Sequence, residues 1–97
     1  MTIEISQAGY NFPQRLKAAR KLRGLSQFQL SLMANVSKSA LSFFENGRRE
    51  PSLKSFRSLI IALRVTPEYL LGMSDTMLSL SEYLQSEYTS SGGDLKI

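Results

Sequence analysis

The side chains that could do chemistry in this sequence are mainly cations, hydroxyls and scattered carboxylates. The chain has no histidine and no cysteine. It therefore lacks the commonest general base and metal ligand, and it can form neither a disulfide nor a Cys-based zinc site. Serines are abundant, but no histidine could activate one, and no Gly-rich phosphate loop is present. We expect neither an enzyme nor a bound cofactor, with a small metal-dependent nuclease as the remaining catalytic alternative.

The cations are concentrated in the first half of the chain. Residues 1–50 carry eight Lys and Arg against three acidic residues, whereas residues 51–97 carry four against five. This asymmetry within a net charge of +4 suggests that the first half faces a polyanion such as nucleic acid. Many small basic proteins bind no nucleic acid, so charge alone leaves a solvated basic face as the alternative.

The length and hydropathy pattern indicate one small globular domain. A chain of 97 residues has room for one core and a short appendage. No hydrophobic run approaches the ~20 residues of a membrane span. Residues 1–9 lack the basic stretch and apolar core of a signal peptide. We therefore expect a cytoplasmic protein that does not engage a membrane.

Capping and helix-breaking residues divide the sequence into five predicted helices. Pro13 suits the first turn of a helix, and Gly24 suits its C-terminal end. Ser26, Ser37 and Ser52 each suit the N-cap of a later helix. The predicted helices span residues 14–23, 27–35, 37–46, 53–63 and 68–71.

Apolar residues at one-turn spacing give each of the longer helices a face for a common core. An all-α fold follows from this pattern. The predicted core residues are Phe12, Leu16, Ala19 and Leu22 in the first helix, Leu30, Met33 and Ala34 in the second, Leu41 and Phe44 in the third, and Leu53, Phe56, Leu59, Ile60 and Leu63 in the fourth.

The second and third predicted helices are short and are separated by the turn Ala34-Asn35-Val36. Two short helices joined in this way are the elements of a helix-turn-helix. Such a turn sets the helices roughly perpendicular, so that the second can enter the DNA major groove while the first crosses the backbone. Ser31 faces the close crossing, where only a small residue fits. The sequence therefore predicts that residues 26–46 meet DNA.

Several motifs with characteristic gaps carry a family resemblance. They are Arg15-Leu-Lys-x-x-Arg20, Gly24-Leu-Ser-Gln27, Val36-Ser37, Leu41-Ser42-x-Phe44-Glu45-Asn46-Gly47, Pro51-Ser52-Leu53 and Tyr69-Leu-Leu-Gly72. Through them the chain resembles the phage-repressor and Cro-type helix-turn-helix family, also called XRE-type regulators. It departs from the family at Ser31, usually Ala, and at Asn35, usually Gly, and both replacements are sterically reasonable.

The resemblance implies a compact five-helix, lambda-repressor-like DNA-binding domain over residues 12–74. Residues 1–11 would form an N-terminal arm, and residues 75–97 a C-terminal helical extension. The matching Arg20 and Glu45 would form a partly buried ion pair that joins the first and third helices. We expect this pair to be structural and not catalytic.

The resemblance also implies which residues bind DNA. Gln27 and Asn46 match positions that contact phosphates, and Arg48 and Arg49 lie where family members touch the backbone or the minor groove. Capping, solvation or a simple basic loop are the alternatives for these residues. The positions that approach base edges are Ser37, Lys38, Ser39 and Phe43, with Ser42 nearby.

Two of the base-edge positions have a defined chemistry. Lys38 can donate to guanine O6 or N7, and Phe43 can pack on a thymine methyl. The alternatives are a solvated Lys38 and a Phe43 buried against another helix or a partner chain. Arg15, Lys17 and Arg23 are left as cations that only raise the local potential.

The C-terminal extension offers a second apolar surface. A predicted helix over residues 75–88 would carry on one side Met77, Leu80, Tyr83, Leu84 and Tyr88. These residues are candidates for dimerisation, and packing onto the chain's own core is the equal alternative.

One helix-turn-helix makes few base contacts, and two-fold dimers read two half-sites ~34–36 Å, or a multiple of that, apart. We therefore expect a homodimer that binds double-stranded DNA at an inverted repeat, most simply as a repressor. A regulatory protein is a further expected partner. The rival function is that of an antitoxin, which binds a toxin through its tail and regulates its own operon.

Overall fold

A computed structural model describes residues 10–77 of the chain. Within that range the structure contains five α-helices and no strand, so the predicted five-helix, all-α fold is confirmed. The helices are α1 (Phe12–Leu22), α2 (Gln27–Ala34), α3 (Lys38–Glu45), α4 (Leu53–Leu63) and α5 (Pro67–Leu70).

Serine side chains fix where α2 and α3 begin. Ser26 accepts a hydrogen bond from the Gln29 backbone N–H at 3.0 Å, and its own N–H donates to Gln29 Oε1 at 2.8 Å. This reciprocal pair is a capping box. Ser37 accepts from the Ala40 N–H at 3.0 Å. Because each cap satisfies a backbone donor that the helix leaves open, the sequence could place these starts.

The core lies between one face of every helix. Its fully buried side chains come from α1, α2, α3, α4 and α5, and Phe56, Ile60 and Val36 pack against it from partly buried positions. The largest of the fully buried side chains are Leu16, Leu30, Leu41, Leu59, Leu63 and Leu70.

For three residues, the prediction that they lie in the core is wrong. Leu22 is 62% exposed and Leu53 is 86% exposed. Leu22 is the last residue of α1 and Leu53 is the first residue of α4, so both lie beyond the part of their helix that other helices cover. Met33 is 56% exposed. It precedes the buried Ala34 and so points about 100° away around α2.

The segment after α5 runs back across the domain in a non-helical conformation. Residues 75–77 are not helical, so a helix beginning at Asp75 is wrong. The Thr66 N–H donates to the Met77 carbonyl at 3.0 Å, and Thr66 Oγ1 donates to the Thr76 carbonyl at 3.2 Å. Met77 packs against the core. The remaining dimerisation candidates, Leu80, Tyr83, Leu84 and Tyr88, lie outside the described residues.

Candidate DNA interface

The turn between α2 and α3 sets the angle of the candidate interface. Asn35 has φ 55° and ψ 46°, a left-handed conformation that Asn tolerates better than most residues. The Val36 N–H donates to the Ser31 carbonyl at 3.0 Å. Ser31 is buried, and its hydroxyl donates to the Phe28 carbonyl at 2.7 Å. The serine that replaces the family's usual alanine therefore carries a satisfied hydroxyl into this crossing.

The N-terminus of α2 and the outer face of α3 enclose one open groove of about 310 Å³. Apart from Phe43, the residues of its wall are polar or cationic, and Lys38 and Ser39 are exposed. A groove with hydroxyl, amide and ammonium donors beside one aromatic ring can present both hydrogen bonds and an apolar contact to a ligand. The residues that line it are Gln27, Lys38, Ser39, Ser42 and Phe43.

The other sequence-predicted contact residues flank this groove and do not line it. Ser37 is the N-cap of α3, where its hydroxyl oxygen is engaged by Ala40. Asn46 is the C-cap of the same helix and is exposed. Arg48 and Arg49 lie beyond it in the loop that leads to α4, and both are exposed.

A buried carboxylate stands behind the groove. Glu45 accepts from Arg20 Nε at 2.7 Å and from Arg20 Nη2 at 2.9 Å, so the pair is bidentate. Arg20 Nη1 donates to the Leu25 carbonyl at 2.9 Å. The hydrogen bond to Glu45 raises the pKa of Arg20 against the opposing effect of burial, so Arg20 stays charged throughout the physiological range. Both partners are buried and point into the fold, as a structural pair does.

Glu45 also binds one of the residues of the groove. Gln27 Nε2 donates to Glu45 Oε1 at 3.1 Å. The same carboxylate therefore joins α1 to α3 and fixes the side chain of Gln27 at the N-terminus of α2. The sequence did not predict this contact. The spacing of Gln27 and Glu45 is the same whether Glu45 binds Arg20 alone or binds both residues.

The loop after α3 is held near its two ends. The Arg48 N–H donates to the Phe43 carbonyl at 2.9 Å, and the Tyr10 hydroxyl donates to Glu50 Oε2 at 2.9 Å. Burial, followed by the hydrogen bond to Glu50 and its charge, raises the pKa of Tyr10, so this hydroxyl remains a donor at neutral pH. Between these anchors, the Arg49 guanidinium carbon lies 5.3 Å from the centroid of the Phe43 ring.

Two arginines that the sequence analysis expects only to raise the local potential are instead bonded to the chain itself. Arg15 donates to the carbonyls of Tyr69 and Ser74 at 3.0 and 2.6 Å and pairs with Asp75 at 2.7 Å. Arg23 donates to the carbonyl of Leu63, the last residue of α4, at 2.6 Å and to the carbonyl of its C-cap, Arg64, at 2.7 Å. Both side chains hold distant parts of the chain together. The basic surface around the groove is thus narrower than the Lys and Arg content of residues 1–50 suggests.

Neither a metal centre nor a membrane segment is found in the part of the chain that the structure describes. No three His, Cys, Asp or Glu side chains there are grouped so that they could hold a metal ion. The helices of residues 10–77 are also too short or too polar to cross a membrane.

The sequence and the fold are similar to those of known DNA-binding regulators. A helix-turn-helix family model matches residues 16–70, more than half of the chain. This chain belongs to the helix-turn-helix family. The resemblance to phage-repressor and XRE-type regulators that the motifs suggest is confirmed by this match, which runs from within α1 to the last residue of α5, together with the phage and prophage relatives described next.

The relatives of this helix-turn-helix protein include phage proteins. It is 38% identical over 77 residues to the immunity repressor protein of Bacillus phage phi105, a match covering 79% of this chain. The chain spans only about half of that repressor's length, 51%. It is 30% identical over 78 residues to an SPbeta prophage-derived HTH-type transcriptional regulator of Bacillus subtilis, covering 80% of this chain and 72% of the relative.

Among solved structures, the P22 c2 repressor in complex with a synthetic operator is similar. The TM-score is 0.62 at 33% sequence identity, with 65% of this chain and 96% of the repressor chain covered. Nearly the whole of the repressor chain is therefore matched by about two thirds of the present chain.

Proposed function

We propose that this helix-turn-helix protein is a sequence-specific DNA-binding regulator of transcription, in which α3 enters the major groove and α2 crosses the backbone. The observation that carries the proposal is the groove between α2 and α3, which brings together Gln27, Lys38, Ser39, Ser42 and Phe43. The P22 c2 repressor, whose fold this chain shares, was crystallised on an operator.

In this proposal the base edges are read from α3. Lys38 donates to guanine O6 or N7, and the hydroxyls of Ser37, Ser39 and Ser42 form less selective hydrogen bonds. Phe43 offers an apolar surface to a thymine methyl. All of these residues lie on or beside one exposed face of α3, which makes simultaneous contact with a single groove of DNA sterically reasonable.

Phosphate contacts fix the register of the helix on DNA. We assign them to Gln27, Asn46, Arg48 and Arg49. Gln27 lies in the first turn of α2, where free backbone N–H groups also favour an anion. One N–H of its side-chain amide is engaged by Glu45, and the amide retains a second N–H for a phosphate oxygen.

The proposed active form is a homodimer on an inverted repeat. The DNA-binding unit would comprise residues 12–74, with residues 1–11 as an arm and residues 75–97 as an extension whose later residues join two copies. Repression is the proposed output, because a bound dimer covers its site, and a relative is an immunity repressor. A regulatory protein partner would act on the same extension.

Selection of bound sites from random double-stranded DNA tests this proposal. We expect enrichment of an inverted repeat whose half-site centres are ~34–36 Å, or a multiple of that, apart. A selection that enriches no sequence, at a salt concentration where the protein still binds DNA, would contradict specific recognition. Failure to bind DNA at low salt would contradict the function itself.

A further inference from the structure

The contact between Phe43 and Arg49 joins α3 to the loop that follows it. A guanidinium within about 6 Å of a ring centroid is attracted by the negative face of the aromatic ring. The observed distance is 5.3 Å. Phe43 is 37% exposed and lines the groove, so the stack lies at the edge of the proposed reading surface and not in the core.

We propose that Phe43 is a positioning residue for Arg49, and that the two side chains recognise DNA as one unit. The ring holds the guanidinium beside the groove before DNA binds, so that Arg49 contributes to affinity from a prearranged position. Among the residues that the structure describes, no aromatic ring contacts Arg48, the preceding cation of the same loop, so Arg48 provides a comparison without a positioning ring. This inference rests on the proposed DNA-binding function.

The geometry leaves the Arg49 donors available to a ligand. The five N–H donors of a guanidinium spread outward from its central carbon in one plane, and it is that carbon which lies 5.3 Å from the centroid of the Phe43 ring. Within the described residues the Arg49 side chain forms no hydrogen bond or ion pair in the structure. The donors can therefore meet a phosphate or the acceptor edge of a guanine without breaking the stack.

The backbone supports the same arrangement. Gly47 ends α3 with φ 74°, a left-handed conformation that favours glycine. This turn directs the loop back along α3, where Arg48 is bonded to the Phe43 carbonyl and Glu50 to Tyr10. Arg49 thus follows a residue whose backbone N–H is bonded to α3 and precedes a residue whose side chain is bonded to Tyr10. Both contacts restrict the loop from which the Arg49 side chain reaches the ring.

Prearrangement matters because an arginine side chain loses rotamer freedom when it binds. If the ring has already restricted Arg49, less freedom is lost in the complex, and binding is tighter by the corresponding amount. For a solvent-exposed stack we expect about a two- to fivefold effect on the dissociation constant. The role of Phe43 in this scheme is distinct from direct contact with a thymine methyl.

A double-mutant cycle on the full chain tests the inference, with the DNA site recovered by selection as the probe. The variants are Phe43→Leu, Arg49→Ala and their combination, and the matched control replaces Arg49→Ala by Arg48→Ala. We expect Arg49→Ala to weaken binding about two- to fivefold more in the parent than in the Phe43→Leu background. Arg48→Ala should have the same effect in both backgrounds.

Two further measurements separate positioning from folding. Phe43→Tyr keeps the ring and should therefore keep the coupling to Arg49. The thermal unfolding temperature of the Phe43 and Arg49 variants should change little, because the Phe43 and Arg49 side chains are both exposed. In the free protein, the ring current of Phe43 should shift the Arg49 Hδ resonances upfield, and Phe43→Leu should abolish that shift. Equal effects of Arg49→Ala in both backgrounds, with tight DNA binding retained, would overturn the inference alone. Absence of DNA binding by the parent would overturn the proposed function as well.

Discussion

At the residue scale, one carboxylate connects the fold to the proposed interface. Glu45 accepts two hydrogen bonds from Arg20 and one from Gln27. Burying such a pair costs desolvation free energy, which its mutual attraction and hydrogen bonds offset only when the geometry is good. Here the geometry is bidentate, and the same contacts set the position of a residue that we assign to a DNA phosphate.

Glu45→Ala should lower the free energy of unfolding by about 3–5 kcal/mol, because it leaves the buried Arg20 without its partner. Urea denaturation monitored by circular dichroism measures this loss. The matched variant Arg20→Met with Glu45→Leu removes both charges and should recover much of the stability. A single substitution that costs less than about 1 kcal/mol would show that Arg20 finds water or another acceptor.

Lys38 and Arg48 should affect DNA binding in different ways. Lys38→Ala should relax the preference at one base position, with a loss of about 1–3 kcal/mol against the preferred base. Arg48→Ala should weaken binding to all sequences and reduce the slope of log K against log salt by about 1. Site selection and salt titration measure the two effects, and Arg57→Ala, an exposed change on α4, serves as control. An unchanged site preference for Lys38→Ala would remove Lys38 from the reading surface.

The sequence could predict residues that the fold gathers around one groove, but not which of them are held in place by contacts with other side chains. Gln27, Lys38 and Asn46 lie at or next to helix ends, and the capping residues that fix those ends are close to them in the sequence. The bond from Gln27 to Glu45 and the stack of Arg49 on Phe43 depend on how helices and loop pack. Arg15 shows the same limit, because in the sequence it is indistinguishable from a surface cation.

At the element scale, helix ends were more predictable than helix faces. The starts of α2 and α3 follow from Ser26 and Ser37, whose capping hydrogen bonds are local. Burial depends on what packs against a face, and α2 carries apolar residues on nearly all sides. Spacing alone therefore could not decide that Leu30 is buried while Leu32 and Met33 are exposed.

Leu30 and Leu32 offer a matched test of this packing, since both are leucines of α2. Leu30 is fully buried and Leu32 is 65% exposed. Leu30→Ala should lower the free energy of unfolding by about 2–5 kcal/mol, because it removes buried apolar atoms and leaves a cavity in the core. Leu32→Ala should change it by no more than about 0.5 kcal/mol. Comparable losses in urea denaturation would mean that the outer face of α2 is covered in the native protein.

At the scale of the whole molecule, the segment after α5 is divided between the domain and the proposed extension. Arg15 binds the Ser74 carbonyl and Asp75, and Met77 lies against the core. For Met77 these contacts favour packing onto the chain's own domain over dimerisation. The proposed dimer surface is therefore better assigned to the later residues of the apolar stripe, from Leu80 to Tyr88, which stay a prediction.

A chain ended after Met77 tests that division. The shortened chain keeps the contacts of Arg15 and Thr66 with residues 74–77. Its free energy of unfolding should therefore match that of the full chain, measured at a concentration low enough for the full chain to be monomeric. In sedimentation equilibrium, the shortened chain should be a monomer, whereas the full chain should be a dimer. On DNA, the monomer should bind a single half-site about as tightly as it binds the inverted repeat, because it has lost the gain from joining two modules. A shortened chain that remains dimeric would locate the interface within residues 1–77 and exclude the extension as the main contact.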